Sequence, residues 1–242
     1  MPLWPPVLAT RAPGSASSLH AHHALHLMVC TRGALRVRWS SRGRWLDAPG
    51  LVTAPDVPHA VQAERAEILL VFVDPESAAG SALAAVLTGS IRLLLEREAA
   101  MLRRGEPREI MGQGGSSWID GVVAALGGPA APVRPPPSAR VRSVLAVLRS
   151  APPDADTSLA ALAAAVGWSP GRLMHAFTES IGIPLRPYQA WLRLQRSAAA
   201  IVAGVTLADA AHGAGFSDAA HMARTFRRML GITPSALRPE QS

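Results

Sequence analysis

Two stretches near the C-terminus are variants of one pattern. "TSLAALAAAVGWSPGRLMHAFTESIG" (157–182) and "TLADAAHGAGFSDAAHMARTFRRMLG" (206–231) align Gly167 with Gly215, Trp168 with Phe216, Leu173 with Met222, Phe177 with Phe226 and Gly182 with Gly231. Repetition of a whole supersecondary unit leaves few folds open. Each copy reads as a short apolar helix, a glycine turn and a second helix. Ser169 is placed as an N-cap before Pro170, Thr206 as an N-cap with Asp209 three residues later, and a further helix follows Ser217. This is a helix-turn-helix in outline, made twice. Between the copies, Tyr188, Trp191, Leu192, Gln195, Ala199 and Val202 fall on one face of a connecting helix of about 16 residues, roughly 25 Å long. Such a rod sets two reading helices near the ~34 Å repeat of one face of B-DNA. Leu162, Trp168, Leu173, Phe177, Trp191, Phe216, Met222 and Phe226 are the expected core.

The charge distribution points the same way. Net charge is +7, and all 24 basic residues are arginine. Residues 138–242 carry 11 arginines against 6 acids (+5), whereas residues 1–137 carry 13 against 11 (+2), so a polyanion partner belongs with the C-terminal part. The single cysteine, Cys30, makes no internal disulfide. The first ten residues lack a basic stretch ahead of an apolar core, and no apolar run reaches the roughly 18 residues that span a bilayer. These features predict a cytoplasmic protein with no membrane partner.

"LADAAHGAGFSDAAHMARTFRRMLGITPSALR" (207–238), with its Gly-Phe, Phe-Arg-Arg, Gly-x-Thr-Pro and terminal Leu-Arg elements, resembles the signature of the AraC/XylS family of transcriptional regulators. The resemblance extends over about 140–238. It implies a non-enzymatic regulator that binds double-stranded promoter DNA, with a homodimer and, for an activator, RNA polymerase as further partners. By position, the family's recognition surface falls on Gly171, Arg172, Met174 and His175 in the first unit and on Ala219, Ala220, His221 and Arg224 in the second. Gly171, Ala219 and Ala220 offer no hydrogen-bonding side chain, so base readout rests on few groups. Arg172 and Arg224 can hold guanine edges, His175 and His221 add donors, and alanine can meet a thymine methyl. Arg193, Arg196, Arg227 and Arg228 are phosphate candidates, with an internal ion pair as the alternative for Arg193 and Arg227.

The first half alternates with period two. From about 19 to 74, short strands such as "ALRVRWS" (Leu35, Val37 and Trp39 against Arg36 and Arg38) and "EILLVFV" are broken by proline and glycine, which predicts a small barrel or sandwich. From about 81 to 126 the period becomes helical, with Leu83, Val86, Leu87, Ile91, Leu94 and Leu95 on one stripe, and "SSWIDGVVAAL" forms a second helix. The expected architecture is an α+β multidomain chain. It has a cupin-like sensor barrel over 1–78, a helical linker or dimerisation segment over 79–127, a Pro/Gly linker over 128–139 and an all-α double helix-turn-helix over 140–242.

"SLHAHHALHLMVC" (18–30) concentrates histidine on one strand. Alternation puts His20, His22, Ala24, His26, Met28 and Cys30 on one face, and His23 on the other with Leu19, Leu25, Leu27 and Val29. The stretch resembles the first motif of the cupin barrels: Gly14, five residues, His20-Ala21-His22, three residues, His26 in place of the usual glutamate, six residues, Gly33. The second motif is looser, with His59 in place and Asp56 instead of glycine. The resemblance places His20, His22, His26 and His59 where cupins hold metal. Imidazole suits a divalent zinc, nickel, copper or iron ion, while contact with a small-molecule effector without metal stays open. His23 is expected to be structural or exposed. Cys30 lies about 13 Å along the strand from His26, outside the site, though a lone thiol can sense oxidants. Two other functions compete with the ligand-responsive regulator: a constitutive DNA-binding protein with a vestigial barrel, and a metal-dependent cupin enzyme, which the missing glutamate disfavours.

Overall fold

A computed structural model describes residues 7–111, 115–128 and 137–237. Contacts divide the chain into two compact units. The N-terminal unit contains β1 (Val7–Pro13), β2 (Leu25–Arg32), β3 (Leu35–Arg38), β4 (Leu46–Ala48), β5 (Gly50–Thr53), β6 (Ala60–Gln62), β7 (Glu67–Val73), α1 (Ala78–Ala84), β8 (Ile91–Leu93), α2 (Glu96–Leu102), α3 (Pro107–Met111) and α4 (Gly115–Ala125). The strands form a five-stranded antiparallel sheet, β1-β7-β2-β5-β8, and a three-stranded one, β4-β3-β6.

The alternation within β2 sorts the two sides of the large sheet. Leu25, Leu27 and Val29 are fully buried and join Val52, Leu69, Val71 and the helical residues Leu83 and Ile119 in one aliphatic core. Met28 and Cys30, from the opposite face, pack with Leu35, Val37 and Val61 of the small sheet. Each buried leucine contributes about 1.5–3 kcal/mol, so a helical layer and a second sheet each hold one face by hydrophobic burial. Trp39, expected to continue the inward face of β3, lies beyond the strand's last residue and is 47% exposed.

The expected division at residue 78 is not the structural one. β8 pairs with β5 (Leu51↔Leu93, Val52↔Arg92, Thr53↔Ile91), so the segment read as a linker or dimer seam supplies an edge strand of the large sheet. Its helices pack on that same sheet through Leu83, Leu102 and Val122. The helical stripe through Ile91 fails because β5 would otherwise leave an edge of unpaired backbone groups, which three residues of extended chain satisfy. Arg92 fastens the arrangement. Its guanidinium donates to the carbonyls of Val86 (3.2 Å) and Leu126 (2.9 Å) and to Glu98 Oε1 (2.8 Å), while Glu98 Oε2 accepts from the Leu95 N–H at the start of α2.

The C-terminal unit is helical: α5 (Ala139–Ser150), α6 (Leu159–Ala165), α7 (Pro170–Ile181), α8 (Leu185–Val202), α9 (Leu207–Gly213), α10 (Ala219–Leu230) and a 3-10 turn, Pro234–Leu237. The N-cap hydroxyls of Ser158, Ser169 and Thr206 accept from Ala161, Arg172 and Asp209 N–H groups, and Pro170 opens α7. α10 follows Ser217 as expected, with Asp218 Oδ1 accepting from the His221 N–H (2.6 Å) at its start. Gly167 and Gly215, aligned in the repeat, both adopt positive φ (+65° and +81°), the left-handed conformation that only glycine enters cheaply. All the expected core residues are buried except Trp168, which is half-buried against the core that α5 to α8 form within this unit. α8 spans 18 residues and buries Tyr188, Trp191, Leu192 and Gln195 as expected, but Ala198 and Ile201 rather than Ala199 and Val202. Most of the Pro/Gly linker, 129–136, lies outside the described residues. No described helix is long and apolar enough to cross a membrane.

Candidate histidine site and DNA-reading helices

His20 precedes β2 and forms an isolated antiparallel bridge with His59, at the entrance to β6. His22 follows, and His26 sits in β2 opposite Phe72 of β7 and Thr53 of β5. The four imidazoles predicted from sequence are thereby gathered in one place, although only His26 lies within a continuous strand. All four are buried, at 7% exposure or less. Their ring centroids are close: His20–His59 4.4 Å, His22–His26 5.0 Å, His22–His59 5.2 Å and His26–His59 5.4 Å. One ligand nitrogen each from His20, His22 and His59 lies within 4.8 Å of the others. His26 stacks on Phe72 at 4.5 Å and 9°.

Carbonyl partners fix two tautomers. A carbonyl only accepts, so His20 Nδ1–H donates to Ser18 O (2.7 Å) and His59 Nδ1–H donates to Val57 O (2.9 Å), which leaves each Nε2 with its lone pair. Burial keeps the rings neutral. It depresses the pKa of His20 to about 4, with the charge of His59 adding to the effect. Burial is also the first cause of the lowered values of His22, His26 and His59. The cluster is therefore a set of neutral nitrogen donors with no carboxylate among them.

His23 takes the opposite face and a different chemistry. Its Nδ1 lies 2.8 Å from Asp56 Oδ2 and its Nε2 2.9 Å from Glu76 Oε1. Burial alone would depress its pKa, but the two carboxylates more than offset this and raise it to about 9. The ring is then an imidazolium donating from both nitrogens. Asp56, where the cupin pattern has glycine, adopts φ +63° and donates its own N–H to His22 O (2.9 Å). Aspartate tolerates this left-handed conformation better than most residues. Gly14 approaches the neighbouring chain closely, since a Cβ there would fall 2.2 Å from Ala63 O. Cys30 is buried, with its thiol pKa raised by desolvation and its Sγ bonded to Arg32 O (3.2 Å), an environment that opposes thiolate reactivity.

On the C-terminal unit, Arg172, Met174 and His175 are exposed along α7, while Leu173 and Phe177 on the other side are buried. Arg172 lies over the Trp168 ring at 5.0 Å, which orients the guanidinium. Along α10, Ala220, Arg224, Arg227 and Arg228 are exposed and His221 is half-buried, its Nδ1 3.1 Å from Ser217 Oγ. Arg193 is exposed on α8. Arg196 departs from its expected phosphate role: its guanidinium donates to Leu148 O (2.9 Å) and Ala151 O (3.1 Å), bracing the C-terminal end of α5. Those terminal carbonyls have no intrahelical partner, and a cation there meets the negative end of the helix dipole.

Residues 162–240 match the family model described as a helix-turn-helix domain. The chain carries an AraC-type helix-turn-helix domain. A stretch of 87 residues is 34% identical to uncharacterized HTH-type transcriptional regulators of Staphylococcus aureus, strains MSSA476 and N315, covering 36% of this chain and 12% of each relative. The matched stretch thus spans about an eighth of those relatives' length. The fold of the whole chain is similar to that of ToxT from Vibrio cholerae O395, with a TM-score of 0.59 at 9% identity over 95% of both chains. It is also similar to ToxT with unsaturated fatty acid bound, with a TM-score of 0.58 at 11% identity over 95% of this chain and 92% of that one. The AraC-type domain thus contains the expected surface residues on its second helices, whereas Arg196 belongs to its internal framework. Sequence reasoning missed Thr53, Phe72, Asp56 and Glu76 as partners of the histidines. Phe72 and Thr53 become visible only once the register places both opposite His26.

Proposed function

We propose that the protein is a sequence-specific transcriptional regulator whose AraC-type domain binds double-stranded promoter DNA and whose N-terminal unit holds a small-molecule or metal effector among His20, His22, His26 and His59. The observation that carries this reading is the duplicated helix-turn-helix with Arg172 and His175 exposed on one second helix and Arg224 and Arg228 on the other. The excess of +5 charges over residues 138–242 supplies sequence-independent attraction to phosphate. Control by an effector draws support from the fold, since ToxT has been crystallised with an unsaturated fatty acid bound. The chemistry of this chain differs in favouring an occupant that takes nitrogen lone pairs. The protein acts in the cytoplasm on this reading, and contacts RNA polymerase if it activates. The apolar stripe of α1–α4 is spent on its own sheet, so a homodimer would use another surface.

Selection of genomic fragments by the purified chain, followed by fluorescence anisotropy across a salt series, tests the reading. The expected result is an enriched sequence bound tightly, with affinity falling steeply as salt rises. Binding of every fragment alike, unaffected by any effector, would instead identify a constitutive architectural protein.

A further inference from the structure

We propose that His20, His22 and His59 form a three-nitrogen site for a late first-row divalent metal ion, and that His26 controls its occupancy by competing for the lone pair of His59. The inference rests on the effector-binding reading above and specifies the effector's chemistry.

One nitrogen has two claimants. His59 Nδ1–H is committed to Val57 O, so His59 Nε2 is an acceptor, and it lies 3.3 Å from His26 Nδ1. His26 must therefore be the donor, with its proton on Nδ1 and its lone pair on Nε2. A metal ion at the cluster needs the same His59 lone pair. The His26 hydrogen bond and the metal bond exclude each other, and the proton stays on His26 Nδ1 in both states.

The remaining geometry makes His26 the competitor rather than a fourth ligand. The three nitrogens within 4.8 Å of one another come from His20, His22 and His59. His26 lies flat on Phe72, and its Nε2, fully buried, meets no hydrogen-bond partner among the described residues. Thr53 Oγ1, buried and equally without such a partner, occupies the register position facing His26 on β5. Facing residues of antiparallel strands stand close enough for side chains to meet, so Thr53 offers an acceptor for the His26 N–H once His59 is taken by metal. The result is two arrangements of one ring, one closing the site and one opening it.

The donor set decides the ion. Imidazole nitrogen without carboxylate suits cobalt, nickel, copper or zinc and disfavours magnesium and calcium, which take oxygen. Three protein ligands leave a coordination position open to water or an exogenous ligand. The carbonyls of Ser18 and Val57 act as the outer shell that orients His20 and His59.

The test uses untagged full-length protein, cleared with chelator and titrated with Co2+, Zn2+ and Mg2+, with cobalt absorption reporting the ligand field and elemental analysis the stoichiometry. One tightly held Co2+ or Zn2+ per chain is expected, and no Mg2+. Because loss of an outer-shell partner already costs about 10- to 100-fold in affinity, His59→Gln and His20→Gln should each lose at least about tenfold. His26→Phe, which keeps a flat ring against Phe72, should bind as tightly or several-fold more tightly. Thr53→Val should weaken binding in the parent but not in the His26→Phe background. Circular dichroism confirms folding, and His22→Gln replaces any variant that does not fold. Failure of the parent to saturate at one ion overturns the site. Equal losses in His26→Phe and His59→Gln would make His26 a ligand and overturn the competition. Anisotropy on selected DNA with the same samples separates this from the regulator reading, since either binding can fail while the other survives.

Discussion

His20 and His59 are joined through their backbones, His20 N–H donating to His59 O (3.0 Å) and His59 N–H to His20 O (2.9 Å). Main-chain pairing thus brings these two imidazoles together. A cluster built this way is preorganised, and its imidazoles are part of the folded framework.

Replacing His59 by Ala should therefore act on stability as well as on binding. The side chain is fully buried, and its loss leaves Val57 O without the donor it has now. A cost of about 1–3 kcal/mol is expected from the stranded acceptor alone. Thermal melts with and without Co2+ check this: metal should raise the melting temperature of the parent and leave that of the variant unmoved. An unchanged melt with an intact metal response would place the site elsewhere.

Two opposed titrations should bracket the stability of the metal-free N-terminal unit. His23 is raised from 6.5 to about 9, so its clamp contributes fully below pH 6.5 and is lost as pH climbs from 6.5 through 9. A shift of this size corresponds to about 3 kcal/mol. His20 is lowered from 6.5 to about 4, so the unfolded chain takes up the proton first and stability falls as pH drops from 6.5 toward 4. Urea midpoints measured across this range should peak near neutrality, and His23→Gln should flatten the alkaline side. A parent midpoint that stays level from pH 6.5 to 9 would contradict a charged His23.

The arginines of the DNA-binding unit should separate into three behaviours. Arg224→Ala is expected to weaken specific binding by about 1–3 kcal/mol and relax preference at one base pair. Arg228→Ala should weaken all sequences alike and reduce the salt slope by about one. Arg196→Ala should lower the melting temperature, because Leu148 O and Ala151 O lose their shared donor. Selection for bound sequences together with melts distinguishes them. A normal melt for Arg196→Ala with uniformly weak DNA binding would restore the phosphate role.

Glu98→Ala should be among the most destabilising single changes in the N-terminal unit. The carboxylate side chain is 5% exposed and receives both Arg92 and the Leu95 N–H. Removing one partner of a buried pair costs about 3–5 kcal/mol, here toward the lower end because Arg92 retains two carbonyls and some solvent contact. Chemical denaturation reads the loss, and a change under 1 kcal/mol would show that β8 and α2 are held without this tie.

The repeat made the C-terminal unit legible because each signal there is local: a capping serine, a proline at the first helical position, a glycine at positive φ and an apolar face. Even so, Arg196 misled, since an exposed guanidinium and one that caps a neighbouring helix look alike in one dimension. In the N-terminal unit, alternation correctly put His22 and His26 on one side and Leu25 and Leu27 on the other. It did not reveal that His20 lies outside the continuous strand, or that Ile91–Leu93 turns from a helical stripe into the edge partner of β5. Both outcomes depend on which strand lacks a neighbour, a property of the assembled sheet. The His23 clamp was hidden for the same reason, as Asp56 and Glu76 come from distant loops.

The central position of β2 in the five-stranded sheet also bears on how the chain avoids misfolding. β2 is flanked by β7 on one side and β5 on the other, and its two faces are chemically unlike. A slip of one residue would turn His26 and Met28 toward the aliphatic layer beneath the helices and send Leu25, Leu27 and Val29 among the imidazoles. Such a mispaired intermediate would strand a polar ring in hydrocarbon and find no ready partner there. The histidines thus penalise wrong pairings of the strand that every other strand of the sheet depends on, a discrimination exercised during folding before any effector arrives.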